Sequence, residues 1–180
     1  MSDSLQTIVL GGGCFWCTEA VYVQVRGVTD VESGYGNGET QNPTYEEVCS
    51  GRTGHNEVVK LQYDPAEITL HQVLAIFFLV HDPTTLHQQG NDVGTQYRSG
   101  IYYTTPEQKQ VAEDMIAEFT RDKLFKRPIV TEVLALANYW PAEDYHQDFF
   151  QKNPEQAYCM AVAQPKVDKL RRVFQAFVKN

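Results

Sequence analysis

The sequence predicts an α+β fold with a mixed or antiparallel sheet flanked by helices. The chain has 180 residues, which lies within the usual size of one domain. Hydrophobic residues make up 42% of it and charged residues 21%, as is ordinary for a globular domain. Its predicted strands and helices intermix without strict alternation, which favours α+β over α/β. We therefore expect a single domain over residues 1–180, with a ferredoxin-like α/β sandwich core and a C-terminal tail or helix at about 155–180.

The first predicted elements are a strand, a glycine turn and a helix. The β-branched run Thr7–Leu10 ends at three consecutive glycines, after which Cys14–Val25 can form a helix closed by Gly27. A second strand is predicted at Val28–Ser33. The polar stretch Gly34–Pro43 follows, and its Gly-Asn-Gly and Asn-Pro pairs are typical of turns.

The middle of the chain predicts a strand, a buried helix and a long connection. Residues alternate over Glu57–Tyr63 as in a strand. The apolar segment Thr69–Val80 predicts a deeply buried helix, which ends before Pro83. Thr84–Gly100 is polar and poor in aliphatic residues, and connections of this length are more often functional than structural.

The last third predicts two more strands and three helices. Ile101–Thr104 is a strand candidate, and Pro106 opens a helix that ends near Leu124. A further strand is expected at Ile129–Leu136 and a short helix at Glu143–Gln151. The segment after Pro165 predicts an amphipathic terminal helix because its apolar residues share one face.

Charge and composition exclude several partners. The chain has 15 Lys and Arg against 23 Asp and Glu, a net charge of −8 at pH 7, which repels nucleic acid. No apolar run approaches the roughly 20 residues of a membrane-spanning helix, and the N-terminus lacks the features of a secretory signal. We expect a cytoplasmic monomer. In that compartment the four cysteines are interpreted as thiols with catalytic or metal-binding roles before structural disulfides.

The segment Gly13-Cys14-Phe15-Trp16-Cys17 lies where a strand passes into a helix. Backbone N–H groups and the helix dipole at that position predict a stabilised thiolate at Cys14. Three interpretations of the two cysteines stay open: buried small apolar residues, half of a zinc site, or a dithiol couple, which we favour. Phe15 and Trp16 either pack in the core or line a pocket beside the thiol.

Other candidate residues carry weaker signals. The glycines do not match the dinucleotide-binding fingerprint, because its third glycine falls on Trp16. A nucleophilic pair of Cys14 with His55 stays open. Cys49 is expected to be simply packed, since nothing near it suggests activation. The hydrogen-bonding stretch 90–98 is either a polar surface loop or a binding loop.

Four short motifs nevertheless carry a specific resemblance. They are Gly13-Cys14-Phe15-Trp16, Pro43-Thr44-Tyr45, Thr53-Gly54-His55 followed by Glu57, and Gly90-Asn91-Asp92 continuing to Gly94-Thr95-Gln96-Tyr97-Arg98. In this order they closely resemble the type A peptide methionine sulfoxide reductases, from about Ile8 to about Tyr158. Enzymes of this kind reduce oxidised methionine, with one enzyme type for each sulfoxide epimer.

The resemblance implies a role for each matching residue. Cys14 would attack the sulfoxide sulfur, while Phe15 and Trp16 would form an apolar pocket for the S-methyl group. Glu57 would give a proton to the sulfoxide oxygen, which requires a raised pKa. By the same resemblance, the sulfoxide oxygen would be held by Tyr45, Asp92 and Tyr97. The substrate would be methionine S-sulfoxide, free or in proteins, and no metal or bound cofactor is implied.

A second thiol is needed to recycle the sulfenic acid left on Cys14. Many family members have glycine at the position of Cys17 and use a cysteine in a glycine-rich C-terminal tail. Cys159 lies at about that tail position, but residues 163–180 resemble a helix rather than a glycine-rich tail. Cys17, Cys159 or both in relay can resolve the sulfenic acid, and proximity favours Cys17. The resemblance assigns reduction of the disulfide to thioredoxin, with dithiothreitol as the substitute in vitro.

Two other functions use the same cysteines. A general thiol-disulfide oxidoreductase would need only Cys14 and Cys17 and would not depend on Glu57. A metal-binding interaction module would use the cysteines as zinc ligands. Oxidoreductase activity on a sulfoxide remains the favoured hypothesis, because the resemblance includes the acid and the tyrosines as well as the thiols.

Overall fold

The computed structural model of the protein describes residues 5–179 and contains one large sheet and one small hairpin. The strands are β1 (Gln6–Gly12), β2 (Val28–Gly36), β3 (Asn56–Tyr63), β4 (Gln88–Gln89), β5 (Asp92–Val93), β6 (Ser99–Tyr103), β7 (Glu132–Ala135) and β8 (Tyr139–Pro141). The helices are α1 (Phe15–Tyr22), α2 (Tyr45–Cys49), α3 (Leu70–Val80), α4 (Pro106–Arg121), α5 (Phe149–Lys152) and α6 (Gln164–Val173). Short 3₁₀ turns cover Thr95–Tyr97, Asp144–His146 and Gln175–Phe177, and Cys159–Ala163 forms a π-helical turn that leads into α6.

The large sheet has six strands in the order β7-β6-β1-β3-β2-β8. Neighbouring strands are antiparallel except β6 and β7, which are parallel, so the predicted mixed sheet with flanking helices is confirmed. β1 lies inside the sheet between β6 and β3, and its final residues lead directly into the turn before α1. The glycine turn before α1 is therefore anchored on an interior strand of the sheet.

Helix α1 is buried on nearly all sides. All of its residues except Trp16 are buried. It packs against strands β1, β2 and β3, against α5 and α6, and against the turn Cys159–Ala163. A helix that is apolar around its whole circumference is typical of a core position. Any thiol in its first turn is consequently placed in the interior.

Local sequence signals explain where the other helices begin. Thr44 and Thr69 form capping boxes with Glu47 and Gln72, which satisfy the first free N–H groups of α2 and α3. Thr105 caps α4 before the proline at its first turn. Helix α3 buries six apolar side chains, each of which stabilises the fold by about 1.5–3 kcal/mol.

The structure corrects several predicted boundaries. Helix α1 ends at Tyr22 instead of Val25, β2 continues to Gly36, and α4 ends at Arg121. Strand β7 begins at Glu132, three residues later than predicted. The small hairpin β4–β5 lies within the connection that was predicted to be irregular. None of the helices within 5–179 is long and apolar enough to cross a membrane.

The predicted helix Glu143–Gln151 is wrong. The chain forms a 3₁₀ turn at Asp144–His146 and starts α5 only at Phe149, with Asp148 in the left-handed conformation between them (φ 55°). The cause is Gln147, which leaves the helical conformation to bind β2. Its Oε1 accepts from the Ser33 N–H and its Nε2 donates to the Ser33 carbonyl, each over 2.9 Å. A tertiary contact thus overrides local helix propensity.

Candidate active site

Cys14 is the N-cap residue of α1 and follows the glycine turn at the end of β1. Gly13 has a φ of +95°, and a Cβ there would lie 2.6 Å from Cγ of Gln89. Only glycine fits this position, which supports the predicted tight turn. Cys14 is 9% exposed, whereas Cys17 is 1% exposed and Cys159 is fully buried. Among these three cysteines, Cys14 is the least buried.

Glu57 on β3 lies beside this turn and is buried. Its Oε1 accepts a hydrogen bond from the Phe15 N–H over 3.2 Å. Its Oε2 is buried without a hydrogen-bond partner among residues 5–179. Burial raises the pKa of Glu57 to about 8, with a further increase from the charge of Asp92. The carboxyl is therefore protonated at neutral pH, and its second oxygen is available to a ligand.

The prediction that the helix start favours a thiolate at Cys14 is wrong for the substrate-free protein. Burial raises the pKa of Cys14 well above its usual value, and the nearby Glu57 adds to the increase. The physical reason is that the Phe15 N–H is occupied by Glu57, while α1 is too deeply buried for solvent to stabilise a charge. A hydrogen bond from the Trp16 N–H lowers the pKa of Cys14, but by less than burial raises it.

Cys17 is the more acidic of the two neighbouring thiols. A hydrogen bond from the Cys14 side chain lowers the pKa of Cys17 to about 7, and the positive charge of Lys166 contributes to the decrease. The Cys17 backbone N–H also donates to the Cys14 carbonyl over 3.1 Å, which holds the two residues on one helical turn. In the substrate-free protein, the Cys14 proton is therefore retained and Cys17 is the sulfur that ionises near neutral pH.

Aromatic rings surround the space beside Cys14. Trp16 stacks on Phe149 with ring centroids 3.7 Å apart, and its indole Nε1 donates to Nδ1 of His146 over 3.0 Å. The His146 ring also lies 5.0 Å from Phe15 and 4.5 Å from Tyr45. These contacts build one wall from α1, α2 and the segment Asp144–Phe149. Of the two interpretations of Phe15 and Trp16, the structure supports core packing for Phe15, and for Trp16 a half-buried position in this wall.

Two carboxylates hold this wall together. Glu19 on α1 accepts a hydrogen bond from the Asp148 N–H over 3.0 Å, which fixes the left-handed residue before α5. Burial raises the pKa of Glu19 to about 7. Glu143 accepts from the Tyr35 hydroxyl over 2.8 Å and from the Tyr45 N–H over 2.9 Å. The chain between Glu143 and Phe149 is thus tied to both α1 and α2.

Polar side chains also lie near the thiols. The Tyr158 hydroxyl donates to Oδ2 of Asp92 over 2.5 Å and accepts from the Cys17 thiol over 3.7 Å. Burial, together with the charge of Glu57, raises the pKa of both Tyr45 and Tyr97 well above the usual value. Both phenols are therefore protonated donors at neutral pH. The structure brings the predicted Glu57, Tyr45, Asp92 and Tyr97 to the same region as Cys14.

The remaining cysteines and His55 occupy different environments. Cys159 is fully buried, and its pKa is raised by burial and by the charge of Cys17. Cys49 is exposed, so the prediction that it is packed is wrong: the five-residue helix α2 buries only Val48. His55 bonds through Nε2 to the Thr40 carbonyl over 2.6 Å rather than to Cys14. Between residues 5 and 179, no three His, Cys, Asp or Glu side chains are grouped to hold a metal ion.

His146 and Tyr158 were not identified as site residues from the sequence. Each contacts α1 across more than a hundred residues of chain, so no local spacing connects it to Cys14. The only available signal was the aromatic and polar composition of residues 138–158. Composition of this kind does not indicate which of its side chains reach the thiols.

A buried thiol, a second thiol on the same helical turn and a protonated carboxyl between tyrosines define a thiol-dependent oxidoreductase. A family model described as peptide methionine sulfoxide reductase matches residues 6–177. The chain is 54% identical over 170 residues to the peptide methionine sulfoxide reductase MsrA of Trichodesmium erythraeum (strain IMS101), covering 94% of this chain and 96% of that protein. The chain therefore belongs to the peptide methionine sulfoxide reductase family and is an oxidoreductase.

Solved structures agree with this assignment. Reduced Mxr1 from Saccharomyces cerevisiae has a TM-score of 0.80 at 34% identity, covering 88% of this chain and 91% of Mxr1. Mxr1 in complex with Trx2 has a TM-score of 0.56 at 23% identity, covering 83% of this chain and 87% of that one. The second likeness concerns the fold alone. The α+β architecture of the chain is thus shared with reduced Mxr1.

Proposed function

We propose that the enzyme reduces methionine S-sulfoxide, free or in proteins, to methionine, with Cys14 as the nucleophile and Glu57 as the proton donor. The observation that carries this proposal is the Glu57 carboxyl: buried, protonated at neutral pH, held through one oxygen by the Phe15 N–H and unpartnered at the other. A disulfide exchange reaction has no need for such a group. Reduction of a sulfoxide does need an acid, because the sulfoxide oxygen must be protonated as the sulfur–oxygen bond breaks.

The aromatic wall and the polar residues bind different parts of the substrate. The S-methyl group packs against Trp16, with Phe15 packed in the core beside it, where a polarizable sulfur compound is favoured. The sulfoxide oxygen faces the Glu57 carboxyl and the phenols of Tyr45 and Tyr97. Asp92 supports the same region through Tyr158. One donor aimed at developing charge typically contributes about 3 kcal/mol to catalysis, so this set is sufficient for a large rate enhancement.

The first chemical step transfers oxygen from the substrate to Cys14. As Cys14 attacks the sulfoxide sulfur, its thiol proton passes to the Cys17 thiolate, which already accepts a hydrogen bond from it. Glu57 protonates the oxygen, and the resulting hydroxyl bonds to the Cys14 sulfur as the substrate sulfur–oxygen bond breaks. The temporary bond between the Cys14 sulfur and the substrate sulfur breaks at the same time, and methionine leaves. Cys14 becomes a sulfenic acid, Cys17 a thiol and Glu57 a carboxylate. Two protons are present before and after the step, and the substrate sulfur gains the two electrons that Cys14 loses.

In the second step, Cys17 resolves the sulfenic acid. Its sulfur bonds to that of Cys14, the Cys14 sulfur–oxygen bond breaks, and water leaves with the Cys17 proton. Cys17 supports this role through its place on the same turn and its lowered pKa. Cys159 lies beyond Cys17 and is fully buried, so it would need movement of the turn Cys159–Ala163 to reach Cys14.

An external dithiol completes the cycle. The Cys14–Cys17 disulfide is reduced by thioredoxin in the cell and by dithiothreitol in vitro, by exchange through a mixed disulfide. Mxr1, a relative with the same fold, is known in complex with Trx2. No bound cofactor takes part in the proposed cycle, because the two electrons come from the thiols.

Turnover of single sulfoxide epimers tests the proposed function. With dithiothreitol as reductant, the protein is expected to convert the S epimer of a dabsylated methionine sulfoxide and to leave the R epimer unchanged. Product formation is followed by chromatography. A protein that reduces a small disulfide substrate under the same conditions but converts neither epimer would be a general thiol-disulfide oxidoreductase instead.

Peptide mapping after oxidation tests the choice of resolving cysteine. Treatment of the reduced protein with the S epimer alone is expected to give a Cys14–Cys17 disulfide, with Cys159 free for alkylation. Cys159→Ser should give the same disulfide, whereas Cys17→Ser should accumulate the sulfenic acid. A Cys14–Cys159 disulfide with Cys17 free would contradict the assignment while leaving sulfoxide reduction itself intact.

A further inference from the structure

An apolar groove lies between helices α3, α4 and α6, away from the thiols. Its volume is about 1040 Å³, which is at the upper end of sites for small organic ligands. Its apolar lining comes from the three helices and from the segments that follow α4 and α6. The lining includes Phe78, Leu79, Phe119, Phe125 and Phe174. Side chains of this kind suit a hydrocarbon chain rather than a polar metabolite.

The mouth of the groove carries exposed apolar side chains. Leu124 is 60% exposed and Val173 is 51% exposed, and both line the groove. Leu124 follows α4 and Val173 ends α6, so the two residues face the entrance from different elements. Apolar side chains on two sides of an open groove provide further surface that a ligand can remove from water.

Positive charge is concentrated at the same groove. Lys126, Arg127, Lys166 and Lys169 all line it, although the whole chain has a net charge of −8. Arg127 pairs with Asp82, which also lines the groove, over 3.2 Å. Among residues 5–179, no carboxylate lies within ion-pairing distance of the three lysines. Cations of this kind at an apolar site are complementary to a ligand with one anionic end.

The inner end of the groove lies behind the active-site turn. His81 and Gln89 form part of its wall. His81 packs against Gly12, and Gln89 against Gly13. The Gln89 side chain is fixed by hydrogen bonds to both the N–H and the carbonyl of Asp82. The groove is therefore a separate compartment that shares one wall with the active site.

We propose that this groove binds a free long-chain carboxylate. The alkyl chain lies among the aromatic side chains, and the carboxylate lies between Lys126, Lys166 and Lys169. The groove favours this ligand over a neutral lipid because of the lysines, and over a cationic amphiphile because the like charges would repel it. The inference does not depend on the reaction proposed for Cys14. The residue that the two share is Lys166, whose charge lowers the pKa of Cys17.

Calorimetric titration with dodecanoate tests the inference. One dodecanoate is expected to bind per chain, with an affinity that falls as salt concentration rises. Lys126→Glu with Lys169→Glu should weaken binding by about tenfold, as expected for the loss of two partly exposed ion pairs. The matched control is Lys109→Glu with Lys179→Glu, which makes the same charge change outside the groove and should leave binding unchanged.

Three further binding measurements test whether the groove and its lysines hold the ligand. Ala75→Trp places a large side chain in the groove and should abolish dodecanoate binding while epimer turnover is retained. Dodecyltrimethylammonium should not bind, and equal binding of this cation would contradict the role of the lysines. Absence of saturable dodecanoate binding, or binding only to vesicles of anionic phospholipid, would overturn the inference. None of these results affects the proposed sulfoxide reduction.

Discussion

Replacement of Cys14 by serine is expected to lower kcat for the S epimer of methionine sulfoxide by about 10⁴-fold or more, because the group removed is the nucleophile itself. A serine hydroxyl is a far weaker nucleophile than sulfur and has no oxidation state equivalent to a sulfenic acid. Cys14 is the N-cap of α1 and makes no side-chain capping bond, so serine is compatible with the fold there. The loss should therefore concern kcat and not thermal stability.

Cys49→Ser is the matched control for this substitution. Cys49 is an exposed thiol that hydrogen-bonds the Tyr45 side chain, and a serine hydroxyl can keep that bond. The same chemical change there should therefore leave kcat for the S epimer within about twofold. Turnover is measured with dithiothreitol in excess, and the melting temperature of both variants is recorded. Full activity of Cys14→Ser would show that Cys14 is not the nucleophile. Equal losses in both variants would point to a general effect of thiol replacement.

Glu57→Gln is expected to lower kcat by about 10² to 10³-fold, within the usual range for loss of a general acid. Glutamine has nearly the same shape, and its carbonyl oxygen can still accept the Phe15 N–H hydrogen bond. It has no acidic proton to give to the sulfoxide oxygen. General disulfide exchange at Cys14 and Cys17 should be retained in this variant, which separates the two candidate reactions.

The pH dependence of kcat gives an independent check on Glu57. The active form is the protonated acid, and the pKa of Glu57 is raised to about 8. Activity is therefore expected to rise as pH rises through about 7, where Cys17 becomes a thiolate, and to fall as pH rises through about 8, where Glu57 loses its proton. Glu57→Gln should lose this decrease, whereas Glu67→Gln, an exposed control, should keep it. A decrease that persists unchanged in Glu57→Gln would assign the titration to another group.

Much of the fold follows from local sequence features. The strand, glycine turn and helix around Cys14 were predicted because their signals lie within about twenty residues of each other. Thr69 and Gln72 at the start of α3 likewise act within one helical turn. The helix expected at Glu143–Gln151 failed because Gln147 binds Ser33, more than a hundred residues away. Contacts of that range have no spacing that a single sequence reveals.

The site was predicted less completely than the fold, for the same reason. The family motifs assigned roles to Cys14 and Glu57, and in the structure Glu57 binds the N–H of the residue that follows Cys14. The ionisation of Cys14 was predicted with the wrong sign because it depends on how deeply α1 is buried and on Glu57 occupying the first helical N–H. Local helix geometry predicts a stabilising dipole, but burial in a low-dielectric interior has the larger effect here.

The most direct measurement of the central claim is the amount of methionine released by the reduced protein when no external reductant is present. The thiols are then the sole electron source, and methionine is quantified after mixing with excess S epimer. We expect release of one methionine per chain. Turnover should then stop, with Cys14 and Cys17 no longer available for alkylation. Release of no methionine above the level of Cys14→Ser would contradict the central claim.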